Sequence, residues 1–319
     1  MTYTKTIFRK ATIFPVLLSM GFMFMTPMLL DVAAAPGGNG NGHGNGNGGN
    51  DLPPIPDRAI LPDITPGVPK HLDIHNQQQE EWLRFTNVWG NVGVGGLEFE
   101  PDFLGNDPVE GENTKAFQSL YDQEGVFRMP EQTVWREIVS EFSFHETHNH
   151  WHIDGIGEFS VREVTIDENG NEVPGEIAEW LDEDGQTVQS TAVKVGFCIS
   201  DVYQIDGESP ATSLKWYWEC EVGFQGIQPG WIDQYHQSTE DNEILITGLP
   251  EGTYFLTHTW NPLGLFVDEN DDNNTSWIKF QLAEQGNGNR KIFEMESFAP
   301  ECNADGSTPG LCGDISKNN

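Results

Sequence analysis

Positive charge is what this 319-residue chain has least of: 16 Lys and Arg stand against 50 Asp and Glu, a net charge of −34 at pH 7. So acidic a chain repels phosphate backbones and anionic lipid, which argues against nucleic-acid binding and against membrane contact through a basic patch. Cysteine is scarce as well. Only Cys198, Cys220, Cys302 and Cys312 occur, none in a CxxC spacing, which argues against a thiolate zinc site. No stretch has a convincing helical period, apart from a turn or two expected around Thr114–Glu124, and no segment repeats. After Leu30 no run is apolar enough to cross a bilayer.

The one long hydrophobic run opens the chain. Lys5, Arg9 and Lys10 precede an apolar stretch from Ala11 to Leu30, and Asp31-Val32-Ala33-Ala34-Ala35 supplies the small residues that signal peptidase cleaves. Residues 1–35 read as a secretory signal peptide cut near Ala34 or Ala35. Retention as an uncleaved anchor is the alternative, because the run is about as long as a membrane span. Export implies a secreted, extracellular protein with no membrane contact after cleavage, where an even cysteine count favours disulfides. Sequence order suggests Cys198–Cys220 and Cys302–Cys312, one of the three pairings that four cysteines allow. Pro36–Asn50 is almost pure Gly and Asn and cannot bury enough apolar surface to offset its ordering entropy, so residues 36–58 are a flexible linker.

Residues 59–282 have the texture of an all-β protein: one sandwich-like catalytic domain with long loops. Segments such as Glu81–Val88, Gly157–Ile166, Thr191–Ile199, Leu214–Glu221, Glu243–Thr247, Thr253–Trp260 and Thr275–Leu282 are short and rich in β-branched and aromatic residues. Turn signals such as Glu168-Asn169-Gly170-Asn171 and Pro250-Glu251-Gly252 separate them. Residues 283–319 are polar and Gly-rich, and are expected to form a weakly ordered tail with a Cys302–Cys312 loop. Three explanations of the charge compete, of which a generally acidic surface suited to a saline medium is the plainest. Calcium accounts for only a handful of carboxylates, and attraction of a cationic substrate does not follow from charge alone.

The strongest local signal is Phe144-His145-Glu146-Thr147-His148-Asn149-His150-Trp151-His152, which holds four of the chain's nine histidines. In an extended segment, alternate residues project to one face about 6.6 Å apart. His148, His150 and His152 therefore share a face, while His145 has the opposite parity and belongs outside the ligand set unless a bulge intervenes. Three neutral imidazoles without a thiolate suit Cu(II) or Zn(II), and spacing alone leaves that choice open. The plainer alternative is a strand of surface or packed histidines.

These residues resemble the catalytic domain of the lysyl oxidase family, which carries HxxHxHxH followed by an acidic residue and Phe-Ser, here Glu158-Phe159-Ser160. The likeness continues in order through Lys194-Val195-Gly196-Phe197-Cys198-Ile199-Ser200-Asp201 and Gly226-Ile227-Gln228-Pro229-Gly230-Trp231-Ile232-Asp233-Gln234-Tyr235. Pro250-Glu251-Gly252-Thr253-Tyr254 and Asn261-Pro262 follow, and Leu83-Arg84-Phe85-Thr86 and Asn91-Val92-Gly93 match its start, so the resemblance spans about Leu61 to Leu282.

The resemblance implies copper at His148, His150 and His152, and a lysine tyrosylquinone cofactor formed from Lys194 and Tyr235. It implies oxidation of a primary amine, or of lysine in a protein substrate, to an aldehyde by molecular oxygen, with release of hydrogen peroxide and ammonia. Asp233, two residues from Tyr235, is a candidate base on proximity. Cys198 matches the cysteine after the family lysine, and Cys220 falls where its partner would be. Thr147 stands where animal members carry a cysteine, and their further disulfides around the copper strand are missing. The run Asp268-Glu269-Asn270-Asp271-Asp272-Asn273-Asn274 offers oxygen ligands suited to calcium. By the resemblance Asp268, Asn270, Asn273 and Asn274, with the distant Asp63, hold a structural calcium. Two other readings compete: a non-catalytic extracellular copper-binding module, and a zinc hydrolase built on the three histidines.

Overall fold

The computed structural model describes residues 52–102, 113–123, 130–145, 149–182, 185–194, 197–205, 214–218, 220, 223–239, 242–286, 288–303 and 308–313. Alternation of apolar and polar residues sets most of its strands. In chain order they are β1 (Ile64–Pro66), β2 (Lys70–Gln77), β3 (Glu80–Asn91), β4 (Leu97–Pro101), β5 (Asn113–Tyr121), β6 (Thr133–His145) and β7 (His150–Ile153). Next come β8 (Gly157–Ile166), β9 (Glu172–Ile177), β10 (Glu179–Leu181), β11 (Thr187–Gln189), β12 (Thr191–Lys194) and β13 (Tyr203–Gln204). The last are β14 (Gln225–Ile227), β15 (Trp231–Tyr235), β16 (Glu243–Leu245), β17 (Gly252–Trp260), β18 (Thr275–Glu284) and β19 (Arg290–Phe298).

The strands form several antiparallel sheets in one domain, with only single 3-10 turns as helix among the described residues. One sheet runs β1-β3-β15-β13, with β2 and β16 also on β3. A second runs β12-β8-β17-β18-β19, with β9 on β8. A third runs β14-β4-β5-β6-β7, and β10 pairs with β11. In β18 the apolar residues Ile278, Phe280 and Leu282 follow a period of two on the buried face, although Lys279 between them is buried as well. The β8–β9 hairpin turns where Asp167 accepts from the backbone N–H groups of Asn169 and Asn171, and Gly170 takes the left-handed φ of 85° that the turn requires. The main core cluster draws Phe85 and Trp89 from β3, Phe99 from β4, Phe142 from β6, Phe159 from β8 and Phe280 from β18.

Three expectations are corrected. Thr114–Glu124 does not turn helical: β5 runs through Asn113–Tyr121, paired with β4 and β6. Leu214–Glu221 carries no strand among its described residues, 214–218 and 220; backbone bonds to Asp201 hold it instead. The chain after 282 is no weakly ordered tail in its described part. β18 continues to Glu284, β19 adds an edge strand paired along β18 with one bulge between Ile278 and Phe280, and Leu311 is buried with Val88, Ile205 and Ile232. Backbone pairing with β18 and the Arg290 bonds to the Leu249 and Ile246 carbonyls fasten this polar segment. Both expected disulfides, Cys198–Cys220 and Cys302–Cys312, are present.

One glycine fixes how two sheets meet. A Cβ on Gly157 of β8 would lie 2.6 Å from Trp89 Cζ2, so the indole lies directly against the bare backbone. Gly157 pairs with Lys194 on one side and Trp260 on the other. Gly157→Ala is expected to cost about 1–3 kcal/mol by overpacking, measured by denaturant titration. An unchanged midpoint would show that Trp89 is free to retreat.

Candidate active site

The histidine strand is short. β7 begins at His150, His145 pairs with His150 across the hairpin, and Asn149 has a left-handed φ of 54°. The continuous extended run assumed for His145–His152 is therefore broken at Asn149, since a left-handed residue reverses the chain. From His150 onward the alternation holds. Trp151 and Ile153 are buried, Trp151 against Phe144, while His150 and His152 are half-buried on the other face. Their Nε2 atoms lie 2.9 Å apart with ring centroids at 4.8 Å. Two ligands held about 2.0 Å from one ion at a right angle stand about 2.9 Å apart, so these imidazoles suit adjacent coordination positions. His148 lies outside the described residues. Among the described residues no group of three His, Cys, Asp or Glu side chains converges.

Tyr235 ends β15 and reaches inward. Its hydroxyl donates to the Cys198 carbonyl, and its half-buried ring packs on Phe197 at 3.8 Å and against Trp89 at 6.4 Å. Phe197 also accepts a hydrogen bond from Ile153 N–H at 3.1 Å. A single residue, Phe197, thus connects the tyrosine ring to the end of the histidine strand. Lys194, the last residue of β12, precedes Phe197 by three positions and is the register partner of Gly157, on which Trp89 packs.

Asp233, also on β15, is buried. Burial pushes its carboxyl well above the usual range, a weak bond from Ser200 Oγ at 3.4 Å only partly opposes this, and its Oδ2 has no protein partner. Burial, followed by the nearby Asp233 charge, likewise raises the Tyr235 phenol well above its ordinary value.

A second cluster joins the start of the domain to a late loop. Asp63 Oδ1 accepts from Asn273 Nδ2 at 2.8 Å, Asp268 Oδ1 accepts from Ile64 N–H at 3.0 Å, and Glu269 N–H donates to the Pro62 carbonyl at 2.8 Å. Three sealed oxygens have no donor in the protein: Asp268 Oδ2, Asn273 Oδ1 and Asn274 Oδ1. Asn270 caps the short turn after it, accepting from Asp272 N–H at 3.1 Å. Desolvation, then the charges of Asp63 and Asp271, push Asp268 up to about 8, against two opposing backbone bonds.

Residues 131–289 match the lysyl oxidase family model. The chain belongs to the lysyl oxidase family. The matched stretch holds His150, His152, Lys194, Asp233, Tyr235 and the 268–274 loop, and excludes Asp63 and β19. No curated protein matches the chain.

In this lysyl oxidase family member, two buried residues that the sequence reading passed over brace the site. Gln225 of β14 donates to the Trp151 carbonyl of the histidine strand at 2.6 Å and accepts from Ile199 N–H at 3.0 Å. It therefore ties β7 to the segment that holds Tyr235. Asp201 accepts from the backbone of Trp216, Tyr217 and Gln228 and from the Gln228 side chain. A buried acid and a buried amide satisfied mainly by backbone look in sequence like ordinary polar strand and loop residues. Asp201 stood inside a family motif, which was the one available signal.

Proposed function

We propose that this protein is a secreted, copper- and quinone-dependent amine oxidase that converts lysine side chains or other primary amines to aldehydes, releasing hydrogen peroxide and ammonia. The observation that carries the reading is the paired His150 and His152 imidazoles, linked through Ile153 and Phe197 to the ring of Tyr235. The donor set fits copper: neutral nitrogen ligands, a half-buried face and no thiolate. His148, His150 and His152 would hold it, with Lys194 and Tyr235 supplying the quinone cofactor. When bound, copper with oxygen supplies the oxidation that makes a quinone from a tyrosine, and the quinone accepts the electron pair of the amine.

The chain's own residues orient and exchange protons. Cys198, Phe197 and Trp89 fix the Tyr235 ring in one attitude, with its hydroxyl inward and part of the residue reachable from solvent. Asp233 shares the face of β15 with Tyr235, two positions away. Because burial makes its charged form costly, its carboxylate would be a strong proton acceptor. The same chain would carry a structural calcium at Asp63, Asp268, Asn270, Asn273 and Asn274. Three orphaned oxygens support that assignment, since a hard cation takes the carboxylate and amide oxygens that hydrogen-bond donors have left bare.

The decisive experiment is the intact mass of the purified, copper-loaded protein. A Lys194–Tyr235 cross-link with a quinone ring gives a mass change and positive quinone staining, both absent from Lys194→Ala. Bound copper with an unchanged mass would sink the enzyme reading and leave a copper-binding module. Bound zinc, with copper unable to replace it, would point to the hydrolase.

A further inference from the structure

Eight of the chain's ten tryptophans are buried or half-buried, and the two exposed ones flank a single residue. Trp216 is 37% exposed and Trp218 60%, Leu214 beside them is 67% exposed, and Tyr217 between the indoles is buried. Scattered apolar residues at a surface are ordinary. Two indoles and a leucine within five positions of so acidic a chain are not.

The segment is firmly held. Asp201 accepts from the Trp216 and Tyr217 backbones at 2.9 and 3.0 Å, and its own N–H donates to the Tyr217 carbonyl at 2.7 Å. Gln228 donates to the Leu214 carbonyl at 3.0 Å, the Tyr217 hydroxyl donates to buried Glu98 at 2.7 Å, and Cys220 is bonded to Cys198. Residues 198–201, to which it is fastened, also supply the carbonyl that accepts from Tyr235 and the hydroxyl that touches Asp233. The backbone that carries the indoles is thus fastened to residues 198–201 of the candidate active site, which leaves little backbone ordering cost for a ligand to meet.

We infer that Leu214, Trp216 and Trp218 form a docking platform for a polypeptide substrate, which lies across them while its lysine enters the site. This rests on the amine-oxidase reading. An exposed surface of this kind cannot enclose a small amine, which needs a concave pocket, but it suits an extended chain. Indole faces are the best side-chain partners for ammonium and guanidinium groups, and a net charge of −34 draws in cationic chains and repels acidic ones. The favoured occupant is a peptide with a second basic residue beside the lysine to be oxidised.

Full-length copper-loaded protein is assayed with n-butylamine and with the capped peptide acetyl-Gly-Lys-Gly-Arg-Gly-amide. In a Trp216→Ala/Trp218→Ala variant the ratio of kcat/KM for the peptide to that for n-butylamine is expected to fall roughly 5- to 30-fold, through KM. Calorimetric binding of the peptide to metal-free protein, which cannot turn it over, should weaken by the same factor. Phe293→Ala, removing an exposed ring on β19, should alter neither readout. An unchanged ratio, an equal loss on both substrates, or a wild-type dimer that the double variant splits into monomers each overturns the platform. If the wild type oxidises no amine, the amine-oxidase reading falls by itself, and the calorimetric comparison still decides whether the platform binds the peptide.

Discussion

Tyr235→Phe is expected to remove all measurable amine oxidation, by at least ~10⁶-fold, the low end of enzymatic acceleration, while the protein still folds and still binds copper. The substitution deletes one oxygen. Ring packing on Phe197 and Trp89 is unchanged in kind, and among the described residues the hydrogen bond that goes is the one to the Cys198 carbonyl. Leaving that carbonyl unpaired costs about 1–3 kcal/mol, a small part of the stability of a domain this size. Copper content should hold, because His150 and His152 are fixed by β7 and Gln225 rather than by the phenol. The predicted signature is therefore dissociation of two measurements: metal analysis at the wild-type value, and no quinone staining and no peroxide release with n-butylamine and oxygen. Retained turnover would show that Tyr235 is packing only, and simultaneous loss of copper would show that it belongs to the metal site.

How far the sequence discloses this site differs by residue. Four of nine histidines within eight positions stand out against any background, and the burial of Trp151 between its half-buried histidine neighbours follows from strand parity alone. The hairpin between His145 and His150 does not follow, because Asn149 in a left-handed turn reads in sequence like one more residue of an alternating strand. β8, β17 and β18 were legible because each is short, rich in β-branched and aromatic residues, and set between turn-forming clusters.

β5 was not, since buried Gln118 and Ser119 interrupt its apolar pattern. Gln118 is interior because its amide both donates to the Val267 carbonyl and accepts from the Val267 N–H. β19 was misjudged for a related reason. Its side chains are mostly exposed on both faces, so no apolar period marks it, and its place is set by backbone pairing that sequence does not encode locally. Gln225 and Asp201 belong with these: their work is to satisfy distant backbone groups, which only the folded chain brings near.

Calcium removal should expose a pH dependence that the loaded protein lacks. Without an ion, Asp268 is pushed up to about 8 from an ordinary 3.8, chiefly because its Oδ2 is sealed from water. The folded state then holds a proton that the unfolded state gives up. Its contribution to stability is complete below about pH 4 and drains away as pH rises towards 8. Asp63 and Asp271 are also raised, mainly by burial, and act in the same direction. A cation reverses the situation, because it stabilises the ionised carboxylates and competes with the proton, so its apparent affinity grows over the same range.

With calcium ~100-fold above its Kd the gain is about 2.7 kcal/mol, or a Tm shift of roughly 5–10 °C for a domain of this length. The expected result is melting curves with calcium and with chelator that nearly coincide at pH 5 and separate progressively to pH 8. The shift should disappear in Asp268→Asn, which keeps the acceptor for Ile64 N–H and removes the charge. Curves that separate equally at both pH values would show an ion bound without Asp268. Curves that never separate would leave the orphaned oxygens of Asp268, Asn273 and Asn274 to water, and the joint between the domain's first strand and its late loop to direct hydrogen bonds such as those of Asp63, Asp268, Thr65 and Glu269.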